Sequence, residues 1–163
     1  CIRDRSQQIL NDVSNGIRSV MDDLRPAILD DYGLVSALHW YTDKFRERTG
    51  VEIDIEGKSL KPRLSREKEI TLFRITQEAL TNITRHAKAS KINIKVSPSD
   101  SDVTFKIKDN GVGFDLKEVQ NHQKDRGWGL INIQERVTRM GGKLDIITQP
   151  GQGTQLAITM PRE

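Results

Sequence analysis

The segments KINIKVS and DVTFKIKD, residues 91–97 and 102–109, alternate apolar with charged or polar side chains on either side of the turn PSDS. Period-two alternation puts the apolar residues of a strand on one face, so this pair predicts two adjacent strands whose apolar side must be covered. The cover lies just upstream. In SREKEITLFRITQEALTNITRHAKA, residues 65–89, Ile70, Phe73, Ile75, Ala79, Leu80 and Ile83 form a broad apolar stripe at helical spacing, with Ser65 placed as N-cap. This should be the longest helix of the domain.

Further elements follow the same logic. DYGLVSALHWYTDKFRER, residues 31–48, predicts a helix closed by Gly50, and VEIDIEG, residues 51–57, a short strand. GLINIQERVTRMGG, residues 129–142, predicts a helix ending at its glycine pair; KLDIITQ and TQLAITMP predict strands joined by PGQG. Residues 116–126, LKEVQNHQKDR, are polar with weak periodicity and read as a loop or loose helix. The expected fold is α+β: a two-layer sandwich with a mixed, mostly antiparallel sheet covered on one face.

At the start of the chain, Ile9, Val13, Ile17, Val20 and Leu24 line one face of a helix over residues 2–25, and Pro26 breaks it. A one-faced helix of this kind needs a partner, as in a coiled coil or bundle.

Length and charge narrow the function. The 163 residues suit one substantial domain, or a helix joined to one. Lys and Arg number 26 against 23 Asp and Glu, a net charge of +3 with no dense basic block, and aromatics for stacking are few. Nucleic acid is therefore not an expected partner. The single cysteine, Cys1, excludes an internal disulfide framework and a cysteine zinc site, consistent with a reducing compartment. No apolar run approaches the roughly 20 residues of a membrane helix, so no membrane contact by this segment and a cytoplasmic location are expected.

Three glycine pairs sit at predicted strand or helix ends: Gly111 with Gly113, Gly127 with Gly129, and Gly151 with Gly153. Any one pair would serve as an ordinary turn. Familiar phosphate motifs fail: Gly50 and Gly57 are spaced wrongly for a Walker A loop, GWGLINIQ lacks the third glycine of a dinucleotide fingerprint, and Gly111 stands where an EF-hand needs an oxygen ligand. What remains is an ordered series, ALTNITRH, DNGVGFD, RGWGL and GQGT.

That series resembles the N, G1, G2 and G3 boxes of the GHKL ATP-binding superfamily, which covers sensor histidine kinases, gyrase, Hsp-type chaperone ATPases and mismatch-repair ATPases. The resemblance runs over residues 65–161 and implies ATP and Mg²⁺ as cofactors. It implies that Asp109 accepts a hydrogen bond from the adenine amine, a charge-assisted bond worth about 1.5–3 kcal/mol. Guanine would present a carbonyl there instead. Gly111 and Gly113 would leave room for the nucleotide. Gly127, Gly129 and the adjoining Leu130 would meet the phosphates at the N-terminus of a helix. Between the glycine boxes lies a polar loop, placed to act as a lid, with Lys124 and Arg126 able to close over the phosphates.

The resemblance further implies that Asn82 supplies an oxygen to Mg²⁺ and that Arg85 and His86 lie near the phosphates. Glu78 would polarise the attacking group, and Thr154 would reach the adenine directly or through water. Steps of four from Glu78 to Asn82 to His86 place the three on one side of a regular helix.

LRPAILDDYGLVSAL, residues 24–38, resembles the segment that joins dimerisation helices to the ATP domain in histidine kinases of the NarL and DegS type. Residues 1–25 would then be the second helix of a dimeric bundle, 26–50 the linker and first helix, and 51–163 the ATP-binding catalytic domain. The implied reaction is transfer of the ATP γ-phosphoryl group to a histidine, then to an aspartate of a NarL-type response regulator, by a homodimeric parent. The acceptor motif of that family is missing from these 163 residues. His39 reads as a packing or capping residue, His86 as part of the nucleotide site and His122 as a solvated lid residue, so this chain alone should bind ATP without phosphorylating itself. Two other readings stay open: a GHKL-type serine kinase of the anti-sigma-factor class, and a non-catalytic dimerisation or binding module.

Overall fold

The structure is a computed structural model that describes residues 27–116 and 128–163. The expected helix over residues 2–25 and most of the polar loop lie outside the described residues. In chain order the elements are α1 (Ala27–Thr49), β1 (Glu52–Glu56), α2 (Arg66–Asn82), a π-helical turn (Ile83–Ala87), β2 (Lys91–Pro98), β3 (Asp102–Asp109), α3 (Trp128–Arg139), β4 (Lys143–Thr148) and β5 (Thr154–Pro161).

The five strands form one sheet in the order β1-β2-β3-β5-β4. β1 and β2 are parallel, joined across the sheet by α2, whereas the other neighbours are antiparallel. This is the mixed, mostly antiparallel sheet expected from the alternation. Register follows the side-chain pattern: Ile94 faces Ile107, Val96 faces Phe105, and Phe105 in turn faces Ile158. These residues are buried beneath the helices. Lys95, Lys106 and Lys108, one residue out of phase, are exposed on the other face.

Ser65 caps α2 as expected, its hydroxyl accepting from the Lys68 N–H. Leu72, Phe73, Ile75, Ala79 and Leu80 carry the buried stripe of this helix onto the sheet. α1 packs on α2, with Tyr41 and Phe73 meeting edge to face at 5.5 Å between ring centres. Leu34, Leu38 and Phe45 belong to the same core. The helix closes at Gly50, whose φ is 71° and whose N–H bonds back to the Arg46 carbonyl. His39 is exposed on α1 rather than packed.

α1 departs from expectation at its start. It begins at Ala27, not at residue 31, and is interrupted at Gly33, where φ is 80° and ψ is 179°. Such a break removes the helical donors that the Leu29 and Asp30 carbonyls would otherwise receive from residues 33 and 34. The Arg63 guanidinium replaces them, donating to the Leu29 carbonyl at 2.8 Å and the Asp30 carbonyl at 2.9 Å. Its remaining N–H groups grip both oxygens of Glu69, whose side chain is only 3 % exposed. One arginine thus joins the broken turn of α1 to the first turn of α2. Arg63→Ala would take from the buried Glu69 carboxylate and from the Leu29 and Asp30 carbonyls the donor that joins them, an expected stability loss on the order of 2–3 kcal/mol, read as a lower midpoint in urea unfolding.

Candidate functional site

A cavity of about 420 Å³ opens between the end of α2, the C-terminal end of β3, the start of β5 and the start of α3. Asn82, Arg85, His86, Asp109, Gly113, Gly129, Leu130 and Thr154, all singled out from the sequence, line it. Ile107, Leu156, Ala79 and Ile83 supply an apolar lining between them. The cavity is therefore apolar along one wall with a few polar groups converging on it, the usual build of a small-molecule site.

Asp109 ends β3 and is 3 % exposed. Alternation dictates that position: along DVTFKIKD the residues Val103, Phe105, Ile107 and Asp109 all point to the covered face, so the carboxylate completes an apolar row. Burial pushes its pKa up from the ordinary aspartate value. The Gly111 N–H, 2.7 Å from Oδ1, and the Thr154 N–H pull the other way without cancelling the effect. No ion pair reaches Asp109 among the described residues. A buried carboxylate held by backbone donors and left without a cation costs stability, which marks it as a site group rather than a core group.

Asn82 is the last residue of α2, and the next turn is π-helical, five residues from Ile83 to Ala87, closed by Lys88 in the left-handed region at φ 50°. The regular four-residue steps expected from Glu78 through His86 thus stop at Asn82. Wider winding sets Arg85 and His86, both exposed, on the cavity rim. Glu78 lies off the cavity lining but close to α3: a Cβ on Gly129 would sit 2.6 Å from Glu78 Oε1 and 2.9 Å from Asn82 Nδ2. A side chain at Gly129 would push the ends of the Glu78 and Asn82 side chains aside.

The glycines after Asp109 have a different first role from the one expected. A Cβ on Gly111 would lie 2.3 Å from the Ala87 carbonyl, and one on Gly113 would lie 2.0 Å from the Gln149 carbonyl. The bare backbone is needed for other backbone to pass. Gly111 is buried and outside the cavity lining, whereas Gly113, with φ 58°, does form part of the wall. Gly127, Lys124, Arg126 and His122 lie outside the described residues.

Sequence reasoning passed over two residues that hold these loops. Asn110 Oδ1 accepts from the Ser90 and Lys91 N–H groups at 3.0 and 2.9 Å, tying the exit of β3 to the entry of β2. Thr148 bonds to Phe114 and to the turn before β5. Asn in Asp-Asn-Gly is a recognisable backbone-bonding residue; Thr148 sits in a strand pattern and carries no local signal.

The strand order, the helical layer on one face and the cavity at the end of β3 and the start of β5 make a two-layer sandwich of the fold class suggested by the four boxes. The chain belongs to the family of histidine kinase-, DNA gyrase B- and HSP90-like ATPases, which matches residues 67–163. Among curated proteins it is 38 % identical over 160 residues to the signal transduction histidine-protein kinase/phosphatase DegS of Brevibacillus brevis, covering 98 % of this chain and 40 % of that protein. It is also 38 % identical over 160 residues to the sensor histidine kinase MctS of Rhizobium johnstonii, covering 98 % of this chain and 34 % of that one. The chain thus spans about two fifths or less of the length of these relatives. The histidine kinase domain of the Erythrobacter litoralis EL346 blue-light activated kinase shares the fold, with a TM-score of 0.66 at 17 % identity over 79 % of this chain and 61 % of that one.

Proposed function

We propose that this chain is the ATP-binding catalytic part of a two-component sensor histidine kinase, which transfers the γ-phosphoryl group of ATP to a histidine on another segment for relay to a response-regulator aspartate. The observation that carries the reading is the Asp109 carboxylate, buried in the wall of a cavity that Asn82 and the exposed Arg85 and His86 also line. The adenine amine would donate to Asp109, the ring would lie along Ile107 and Leu156, and the phosphates would extend towards Asn82 and the start of α3. The likeness to DegS and MctS supports a kinase of this type; a NarL-type regulator as partner and a homodimeric parent rest on the resemblance of residues 24–38 to the linker of such kinases.

The residues present suit Mg²⁺. Asn82 offers a hard oxygen ligand beside Gly129, and no group of three His, Cys, Asp or Glu among the described residues would cage a metal unaided. The cation would therefore complete its shell with phosphate oxygens and water. When bound it neutralises charge on the phosphates. The chain's own residues would do the rest: Asp109 would fix the base, Arg85 and His86 would bring positive or hydrogen-bonding groups to the phosphates, and Glu78, by its resemblance to the family's acidic residue, would polarise the attacking imidazole. Catalysis would rest on positioning and charge, as in other phosphoryl transfers.

The test is to supply the acceptor. A longer form of the protein that includes a helix bearing the phosphoacceptor histidine is expected to gain a phosphate from γ-labelled ATP that is labile in acid and stable in alkali. The 163-residue chain alone is expected to take none. Phosphoserine on a partner protein would favour the serine kinase reading and overturn this one.

A further inference from the structure

Thr148, the last residue of β4, is half-buried and pairs across the sheet with Thr154, the first residue of β5. Its hydroxyl oxygen accepts from the Phe114 N–H at 3.1 Å. The same oxygen lies 3.2 Å from the Gly153 carbonyl, 3.2 Å from the Thr154 hydroxyl and 3.4 Å from the Phe114 carbonyl. One side chain therefore touches both the chain leaving β3 and the turn entering β5, which supply Phe114 and Thr154 to the cavity lining. Backbone contacts run alongside: the Gly151 N–H donates to the Val112 carbonyl at 2.6 Å, and Gly113 passes close against the Gln149 carbonyl.

Strand propensity does not require this residue. Valine has the same shape and suits a strand equally well, so the hydroxyl needs its own reason. The Gly153 carbonyl and the Thr154 N–H belong to one planar peptide group and point in opposite directions. Anchoring that carbonyl on the Thr148 hydroxyl turns the N–H towards Asp109, where it is one of the carboxylate's two backbone donors.

We propose that Thr148 is a positioning residue of the nucleotide pocket, a latch between the loop after β3 and the turn before β5 that aims the Thr154 N–H at the Asp109 carboxylate. It rests on the nucleotide reading given above. Losing the latch loosens one donor on Asp109 and frees the backbone of Gly113 and Phe114 on the facing wall. Both changes weaken adenine binding without touching the phosphate end.

The test is calorimetric titration of the chain with ADP over a range of pH, for wild type, Thr148→Val and Thr148→Ser. The valine variant is expected to bind roughly tenfold more weakly, the scale of one hydrogen bond lost with its partner left unpaired. It should also lose binding at a higher pH than wild type on acidification, because a carboxylate with one donor fewer holds its proton more tightly. Arg85 and His86 are the charged or titratable groups that share the cavity with Asp109 among the described residues, and both remain in every variant. Thr148→Ser, which keeps the hydroxyl, is expected to match wild type in affinity and in the acid limb. A folded valine variant with unchanged affinity and acid limb overturns the proposal. So does a serine variant that loses either property, whether or not the valine variant folds. Wild type that binds no ADP overturns the nucleotide reading itself, and shows this before any variant is compared.

Discussion

Asp109→Asn is expected to weaken ATP binding by roughly ten- to more than a hundredfold, the equivalent of about 1.5–3 kcal/mol for one charge-assisted hydrogen bond. The asparagine can keep the Gly111 N–H as donor, so the loop geometry should survive while the charge is lost. Calorimetric titration of both proteins checks this. Binding requires the ionised carboxylate, and burial holds its pKa above the usual aspartate range. Acidification should therefore abolish wild-type binding at a higher pH than an ordinary aspartate would, and the residual binding of the variant should lack that limb.

The empty protein should respond in the opposite direction. A carboxylate whose pKa is raised on folding contributes stability below its unfolded pKa and loses it as the pH rises through the folded value. At neutral pH, ionised Asp109 therefore works against the fold. Removing the charge is expected to leave thermal stability unchanged or raise it, even as binding falls. A variant that lost binding because it unfolded would show the reverse.

Gly153→Ala is the second large effect. Gly153 has φ 72°, and a Cβ there would lie 2.1 Å from the Asp109 carbonyl oxygen and 3.0 Å from its carbonyl carbon. Both atoms are backbone, so neither can swing aside. Left-handed strain of about 1–3 kcal/mol and a similar cost of forcing β5 away from β3 sum to a loss on the order of 3 kcal/mol. The expected result is a melting temperature lower by several degrees together with loss of ATP binding, since displaced backbone takes the Thr154 N–H off Asp109. Gly151→Ala serves as the control. That glycine has φ 81° but open space around its Cβ, so only the backbone strain applies and binding should persist.

These two sites show what the sequence could and could not disclose. Asp109 was legible through the DNGVGFD box, and the structure adds that it continues a period-two row, Val103, Phe105, Ile107, into a buried position where an unpaired carboxylate is costly. The strands 102–109, 143–148 and 154–161 were legible from their alternation, which is a local property. The turn after Asn82 was not: nothing in ITRHA signals five-residue winding over four-residue winding, and the neighbouring loop at Val112, bonded to the Ala87 carbonyl, belongs to a distant part of the chain. Gly111 and Gly113 were read as clearing space for a ligand, whereas their nearest neighbours are the carbonyls of Ala87 and Gln149. Close approach between remote backbones leaves only a glycine in the sequence, with no mark of which neighbour requires it. Arg63 illustrates the same limit. Its partners at Leu29, Asp30 and Glu69 come together only when α1 breaks at Gly33, and the apolar spacing that predicted a helix from residue 31 runs through that break unaltered.

The central claim is that the cavity beside Asp109 takes an adenine nucleotide. Titrating the wild-type chain with ATP and with GTP, each with Mg²⁺, tests it most directly. The account predicts one ATP per chain and binding of GTP weaker by about tenfold or more, since guanine sets a carbonyl against the carboxylate where adenine offers a donor. Equal affinity for the two nucleotides, or no binding of ATP, would contradict it.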